Sequence, residues 1–490
     1  MSKKGNRGAP QDYQKKISPS LPVKAINEMI SLFNSGQWGL LETKARDTVK
    51  RYPGHPFGWK VLGAILIKTG RLPEAIHPLL RSTNLSPQDA EAHSNLGNAL
   101  KELGRLDEAE ASYRLALALR PDFVEAHCNL GIALKELGRL DEAEACYRLA
   151  LALKPDFVEA HCNLGIVLKE LGRLDEAEAC YRLALTLKPD FVEAHCNLGI
   201  ALKELDRLDE AIVSFEQAMA INPDNTKYQL VLIQILYRMY STAPAAAVER
   251  ALACRRKYLD RPIIIHGISG ILGDDSLERA SDFYVSALFD NFANNFDTAL
   301  DKLGYDVPRL MADCLYDPLA PSANHDILDA GCGTGKCGPY LAPHARRLVG
   351  VDLSVNMLAK AQARGIYSEL IKEELVSFLS RHPASFDTVV SADVLIYFGN
   401  IVPLIKAGAA SLRSGGRLAF SVEAISMGTG GNADFILSPS GRYQHRLASI
   451  GRILAAADLT MTVCREVNVR LEWGKPTPGY VIIASAAHTV

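Results

Sequence analysis

Across residues 123–137 and again across 141–153 the apolar positions return at helical spacing, so each stretch predicts an amphipathic helix. Gly138 separates the two and Pro155 follows the second, which predicts a helix–turn–helix unit: glycine accepts the positive φ of the turn, and proline stops the helix from running on. The unit is copied along the chain. Pro53, Pro87, Pro121, Pro155, Pro189 and Pro223 stand 34 residues apart, as do Gly36, Gly70, Gly104, Gly138 and Gly172, with Asp206 in the next glycine position. Segments 121–154 and 155–188 differ at two positions, Ala133 against Val167 and Ala152 against Thr186. Neither helix of a unit buries its apolar face alone, so the copies must stack. From about residue 275 the period is gone, and short β-branched runs alternate with helical segments, the pattern of a parallel sheet covered by helices. The expected strands are 326–330, 348–352, 369–372, 386–391, 417–422, 463–471 and 480–485, the last two pairing as an antiparallel hairpin across 472–479.

In the repeated unit Leu130, Gly131, Leu134, Ala143, Tyr147, Ala150 and Pro155 fall at the offsets of the tetratricopeptide pattern, which these copies closely resemble. The array of about six to seven units is expected over residues 19–256, with degenerate outer units as caps, after a disordered basic tail at 1–18 and before a linker at 257–274. Asn95, Asn129, Asn163 and Asn197 recur at one offset of the first helix. An amide offers donor and acceptor together, so a line of them can pair with the backbone of an extended peptide. This resembles the asparagine ladder of O-linked N-acetylglucosamine transferase, and the alternative is that asparagine merely solvates that position. The cationic positions of a carboxylate clamp hold Cys128 and Cys162 instead. The pairs His127–Cys128, His161–Cys162 and His195–Cys196 diverge by about 100° around a helix and lack ligand spacing, so they read as packing residues, and no metal is predicted.

The first strand of the second half runs into Asp329-Ala330-Gly331-Cys332-Gly333-Thr334-Gly335-Lys336. A phosphate-binding P-loop needs four residues between its glycine and Gly-Lys-Ser/Thr; here three intervene, and Cys337 follows the lysine. A dinucleotide loop is disfavoured because Lys336 takes its last glycine position. Asp329, Gly331, Gly333 and Gly335 instead form Asp-x-Gly-x-Gly-x-Gly, which resembles motif I of class I S-adenosylmethionine-dependent methyltransferases. That resemblance implies a Rossmann-like α/β domain over 275–490, with a seven-stranded sheet whose last strand is antiparallel. It also implies S-adenosylmethionine as cofactor and S-adenosylhomocysteine as product. Asp329 then attracts the cofactor's amino-acid end, Asp352 after the second strand accepts from the ribose hydroxyls, Leu353 and Met357 contact the adenine, and Glu374-Leu375 takes the place of an adenine-edge Asp-Leu. The structural alternatives are loop bonding for Asp329, helix capping for Asp352 and core packing for Met357. Tyr284, Leu288, Phe292, Phe296 and Leu300 form an aromatic-rich helix face whose surroundings resemble the lead-in segment of bacterial methyltransferases that carry tetratricopeptide repeats.

Methyl transfer relies on alignment and desolvation, so few catalytic residues are obligatory. Candidates at the carboxyl ends of strands are Asp393, Tyr397 and Glu423; His445 and Tyr443 lie on a segment, 440–445, expected to open a helix, and His445 is the first choice of base. Ser391-Ala392-Asp393-Val394 replaces the Asn/Asp-Pro-Pro-Phe/Tyr run of many amino-group methyltransferases, which favours oxygen, carbon or unusual nitrogen acceptors. With 54 Lys plus Arg against 56 Asp plus Glu, no global field favours nucleic acid or anionic lipid. No apolar run is long enough for a membrane span, and the dispersed cysteines suit a reducing cytoplasm. The expected protein is an enzyme whose array recruits a protein or peptide partner. The alternatives are a small-metabolite methyltransferase that uses the array for assembly, and a scaffold whose methyltransferase fold only senses cofactor or is vestigial.

Overall fold

The computed structural model describes residues 20–274, 276–316, 323–426, 431–472 and 475–487; the expected basic tail, 1–18, lies outside the described residues. The chain divides into two compact units, Met1–Leu205 and Asp206–Val490.

The first unit is a helical solenoid. Its central repeats are the pairs Ala90–Glu102 with Leu106–Leu119, Val124–Glu136 with Leu140–Leu153, and Val158–Glu170 with Leu174–Leu187. Each pair closes because a small residue on the first helix meets a tyrosine on the second: a Cβ added to Gly131 would lie 2.8 Å from Cζ of Tyr147, which is fully buried. Gly138, at φ +76°, makes the turn between the helices of its pair. The repeated histidines tie each first helix to the boundary before it, His127 Nε2 lying 2.8 Å from the Pro121 carbonyl and His161 Nε2 2.8 Å from that of Pro155.

The second unit begins with helices Leu208–Ile221, Thr226–Thr242 and Pro244–Lys257. Residues 257–274, expected as a linker, contain a further helix, Pro262–Leu272, started by Pro262 and stopped by Gly273 in the left-handed region. It is a packed element: Ile263, Ile264, Ile268 and Ile271 are all buried, and a Cβ on Gly270 would lie 2.0 Å from the Ser438 carbonyl oxygen.

The sheet consists of β1 His325–Ala330, β2 Ala345–Asp352, β3 Glu369–Lys372, β4 Phe386–Ser391, β5 Leu412–Ala424, β6 Phe435–Leu437, β7 Tyr443–His445, β8 Leu459–Glu472 and β9 Lys475–Ala486. Parallel strands β3-β2-β1-β4-β5 are continued by β9, antiparallel to β5, and then by β8, antiparallel to β9; these seven match the expected core, including its antiparallel last strand. β6 and β7 add a short branch, β7 parallel to the end of β5. Segment 440–445 therefore does not open a helix. Tyr443 and His445 are buried on either side of partly exposed Gln444, the two-residue alternation of a strand, and the next helix starts at Leu447. Strand order reverses between β1 and β4, and there the carboxyl ends of an open α/β sheet leave a crevice.

Candidate active site

That crevice is a cavity of about 610 Å³. The loop after β1 forms one wall. Gly331, Gly333 and Gly335 all have positive φ, but only Gly333 faces open space: a Cβ there would meet nothing nearer than Phe296 Cε1 at 4.0 Å, whereas one on Gly331 would strike Val394 at 2.2 Å. Asp352, at the end of β2, holds this loop in place. Its Oδ2 accepts from the Gly333 N–H at 2.9 Å and its Oδ1 from the Ser354 N–H at 2.8 Å. Burial raises the Asp352 pKa, and the N–H groups of Ser354, Gly333 and Leu353 oppose the rise. Leu353, Glu374 and Leu375 also line the cavity.

Three other expected cofactor residues make contacts within the fold. Asp329 is buried beneath the loop, its Oδ2 accepting from the Tyr367 hydroxyl at 2.6 Å, and burial pushes its pKa up to about 7. Met357 is wholly buried in the helix Val355–Ala363, so core packing, the alternative use, accounts for it. Glu374 lines the cavity but caps the helix Leu375–Ser380, accepting from Val376 N at 3.1 Å and Ser377 N at 2.8 Å, and it pairs with Arg279 at 3.0 Å.

Beyond β4 the cavity wall carries Asp393 and Tyr397. Asp393 sits at φ +55°, a conformation uncommon for a side chain with a Cβ; Ser421 pins it, its Oγ accepting from the Asp393 N–H and donating to Oδ1, both at 2.8 Å. Burial raises the pKa of both Asp393 and Tyr397, opposed at Tyr397 by Arg442. Glu423, fully buried on β5, forms an ion pair with Arg470 of β8, and burial raises its pKa too. His445 and Tyr443 point elsewhere. His445 Nε2 is 2.8 Å from the Phe398 carbonyl, and burial lowers its pKa to about 4, far from the neutral titration expected of a base. The Tyr443 hydroxyl donates to the Leu277 carbonyl at 2.8 Å. Neither is on the cavity wall.

A family model described as a methyltransferase domain matches residues 328–420; models described as TPR repeat and tetratricopeptide repeat match 63–104, 97–138, 133–172, 158–191 and 192–225. The chain carries tetratricopeptide repeats and a methyltransferase domain. Human methyltransferase-like protein 27 is 44% identical over 85 residues, 17% of this chain and 34% of that protein. The ubiquinone biosynthesis O-methyltransferase of Paracidovorax citrulli is 28% identical over 166 residues, 31% of this chain and 66% of that protein. The chain thus spans about one third to two thirds of the length of these relatives. A solved structure described as the crystal structure of MamA is 25% identical with a TM-score of 0.32, covering 34% of this chain and 98% of that one.

In the methyltransferase domain, sequence reasoning missed how the lead-in helices are fastened over the glycine loop. The helix Asp282–Phe292 supplies Asp290, which accepts from Ser354 Oγ at 2.5 Å. The helix Phe296–Lys302 supplies Asp297, accepting from Thr334 Oγ1 at 2.5 Å and from Arg364 at 2.6 Å, and Asp301, paired with Lys336 at 2.7 Å. Three aspartates at positions 290, 297 and 301 were the available signal, but nothing local names their partners. In the tetratricopeptide repeats the four asparagines are half-buried. Asn129 Nδ2 donates to Asn98 Oδ1 at 3.0 Å, and Asn197 Nδ2 to Cys162 Sγ at 3.6 Å, so part of the ladder's donor capacity links one unit to the unit before it.

Proposed function

We propose that the chain is an S-adenosylmethionine-dependent methyltransferase whose repeat array recruits a protein or peptide partner. The observation that carries the reading is the joining of Asp352, the backbone of Gly333 and a large, mostly apolar-lined cavity at the strand-order reversal. The residues fit a cationic ligand: Gly333 leaves its backbone approachable, and the carboxylates of Asp352 and Asp290 stand beside it. When bound, S-adenosylmethionine supplies a methyl group on positively charged sulfur. Asp352 would hold its ribose hydroxyls, Leu353 and Leu375 its adenine, and Phe289 and Phe296 would add aromatic faces worth about 0.5 to 2 kcal/mol toward a cation. The helices Asp282–Phe292 and Phe296–Lys302 exclude water from this space. Asp393 and Tyr397 would position the acceptor. Asn95, Asn129, Asn163 and Asn197 remain the proposed contacts for an extended peptide. No helix among the described residues is long and apolar enough to cross a membrane, and all ten cysteines are free thiols, which supports a reducing, cytoplasmic setting.

Calorimetric titration with S-adenosylmethionine and S-adenosylhomocysteine, beside Asp352→Ala, tests the cofactor reading. Saturable binding by the wild type, weakened by about 10- to 100-fold in the variant, is expected from the loss of a charged acceptor for hydroxyl donors. No binding by the folded wild type, or equal binding by the variant, sinks it.

A further inference from the structure

Five carboxylates stand on the cavity lining among the described residues: Asp282, Asp352, Glu373, Glu374 and Asp393. Arg279 pairs with Asp282 and Glu374, Arg381 pairs with Glu373, and backbone N–H groups hold Asp352. Asp393 is held differently. Ser421 Oγ accepts from the Asp393 N–H, so the proton of that hydroxyl is left to donate to Oδ1, and the Tyr305 hydroxyl also hydrogen-bonds the carboxyl group. Burial and the nearby Asp393 raise the Tyr305 pKa well above its ordinary value, so this hydroxyl keeps its proton and donates it. Arg470 and Arg442 stand near Asp393 with partners of their own, Glu423 and Tyr397. Burial raises the Asp393 pKa, and Ser421, the two arginines and Tyr305 oppose the rise by favouring the carboxylate.

Ionised, a carboxylate is an acceptor only, with room for about four hydrogen bonds. Ser421 and Tyr305 supply two, and the half-buried Asp393 side chain keeps part of its surface on the cavity. Its place in the fold faces it toward the glycine loop. β4 pairs with β1, and the neighbouring Val394 packs so closely on the loop that a Cβ on Gly331 would strike it at 2.2 Å. Ser421 thus pins a strained backbone, φ +55°, at the point where the two strand ends meet the crevice, and strain of this kind gathers at functional sites.

We propose that Asp393 receives the hydroxyl group of the methyl acceptor, which makes the acceptor an alcohol or a phenol. The inference rests on the methyl-transfer reading above and gives that reaction its class of acceptor. A hydroxyl brings the carboxylate a further donor without bringing charge. An ammonium would instead add a cation where two guanidiniums already stand near. The contact also gives the hydroxyl proton a destination: it passes to a carboxylate oxygen of Asp393, and the electron pair of the broken O–H bond stays on the acceptor oxygen.

Phenol, toluene and benzylamine are the probes; the first two are alike in size and differ in one O–H, and the third is cationic at neutral pH. Each is titrated into full-length protein saturated with S-adenosylhomocysteine, for the wild type, Asp393→Asn and Asp393→Gly. Both replacements tolerate the backbone at φ +55°, and their uptake of S-adenosylhomocysteine checks that they fold. The wild type is expected to bind phenol at least about tenfold more tightly than either other probe. Asp393→Asn keeps an acceptor but loses its charge and should cut the preference over toluene to about threefold or less, and Asp393→Gly should erase it. Equal binding of phenol and toluene to the wild type overturns the proposal with no variant needed. Benzylamine bound by the wild type as tightly as phenol overturns the hydroxyl as the class of acceptor. A preference for phenol that survives intact in both variants overturns the role of Asp393. Each of these results in protein that takes up S-adenosylhomocysteine leaves the methyl-transfer reading standing, whereas failure of the wild type to take it up removes that reading and this inference with it.

Discussion

The three central tyrosines of the repeat array occupy the same position in nearly identical units but differ in one respect that sets the sign of a mutation. Tyr113, Tyr147 and Tyr181 are all fully buried. The Tyr113 hydroxyl donates to Asn98 Oδ1 at 2.8 Å. Fifteen residues before Tyr147 and Tyr181, where Asn98 stands relative to Tyr113, the chain has Ile132 and Ile166, and both of these hydroxyls are buried without a hydrogen-bond partner. A buried hydroxyl left unsatisfied costs about 1 to 3 kcal/mol, so Tyr147→Phe and Tyr181→Phe should each stabilise the array by up to that amount. Tyr113→Phe should instead cost about 0.5 to 1.5 kcal/mol. The lower half of that range is expected, because Asn98 keeps its bond from Asn129. Urea unfolding followed by helical circular dichroism measures the difference. Tyr147→Phe destabilising the array as much as Tyr113→Phe would refute the reasoning, since it would mean that the hydroxyl has a partner in solution.

The unfolded chain loses the Asp329 proton near the ordinary value of 3.8, whereas the folded protein keeps it up to about 7. The unfolded state therefore binds fewer protons in this window, and Asp329 makes stability fall as pH rises from about 4 to about 7, by at most about 4 kcal/mol. Asp329→Asn should remove that slope in thermal unfolding between pH 5 and 8, and an unchanged difference across the range would contradict it; buried His445, with its pKa lowered to about 4, slopes the opposite way in both proteins and cancels in the comparison. A fragment beginning at residue 275 loses the helix Pro262–Leu272 and with it four buried isoleucines, each worth about 1.5 to 3 kcal/mol, a sum comparable to the whole stability of a domain. Residues 206–490 should unfold cooperatively and 275–490 should not, and a cooperative transition in the shorter fragment would show that this helix is dispensable.

Where a local rule had contrast to work with, the chain was readable. The 34-residue spacing of proline and glycine marked every central helix pair because each sits at a backbone position that other residues fill poorly. The glycine loop and Asp352 were readable because a strand, a tight turn and an acid at the next strand end follow one another within a single βαβ unit. The helix Pro262–Leu272 was missed because it is buried nearly all round: Ile263, Ile264, His266, Ile268 and Ile271 leave no polar stripe for a helical period to show against. β6 and β7 are three residues each, too short for alternation to register before tertiary pairing decides. His445 looked like a base because residue type was the only information available; its burial and its bond to Phe398, 47 positions earlier, are set by strand pairing.

The same division runs through the cavity. The methyltransferase match covers 328–420, which contains the glycine loop, Asp352, Glu374, Asp393 and Tyr397. Arg442 and Arg470 lie after it, and Leu230, Val231, Val285, Leu288, Phe289 and Leu300 lie before it. The glycine-loop end of the cavity is thus built from contiguous chain, where spacing carries information, and the rest of its wall from side chains up to 240 positions apart, Leu230 to Arg470, where it carries none. The chemistry of that wall has to be argued from which side chains the fold brings together there, because no spacing along the chain announces them.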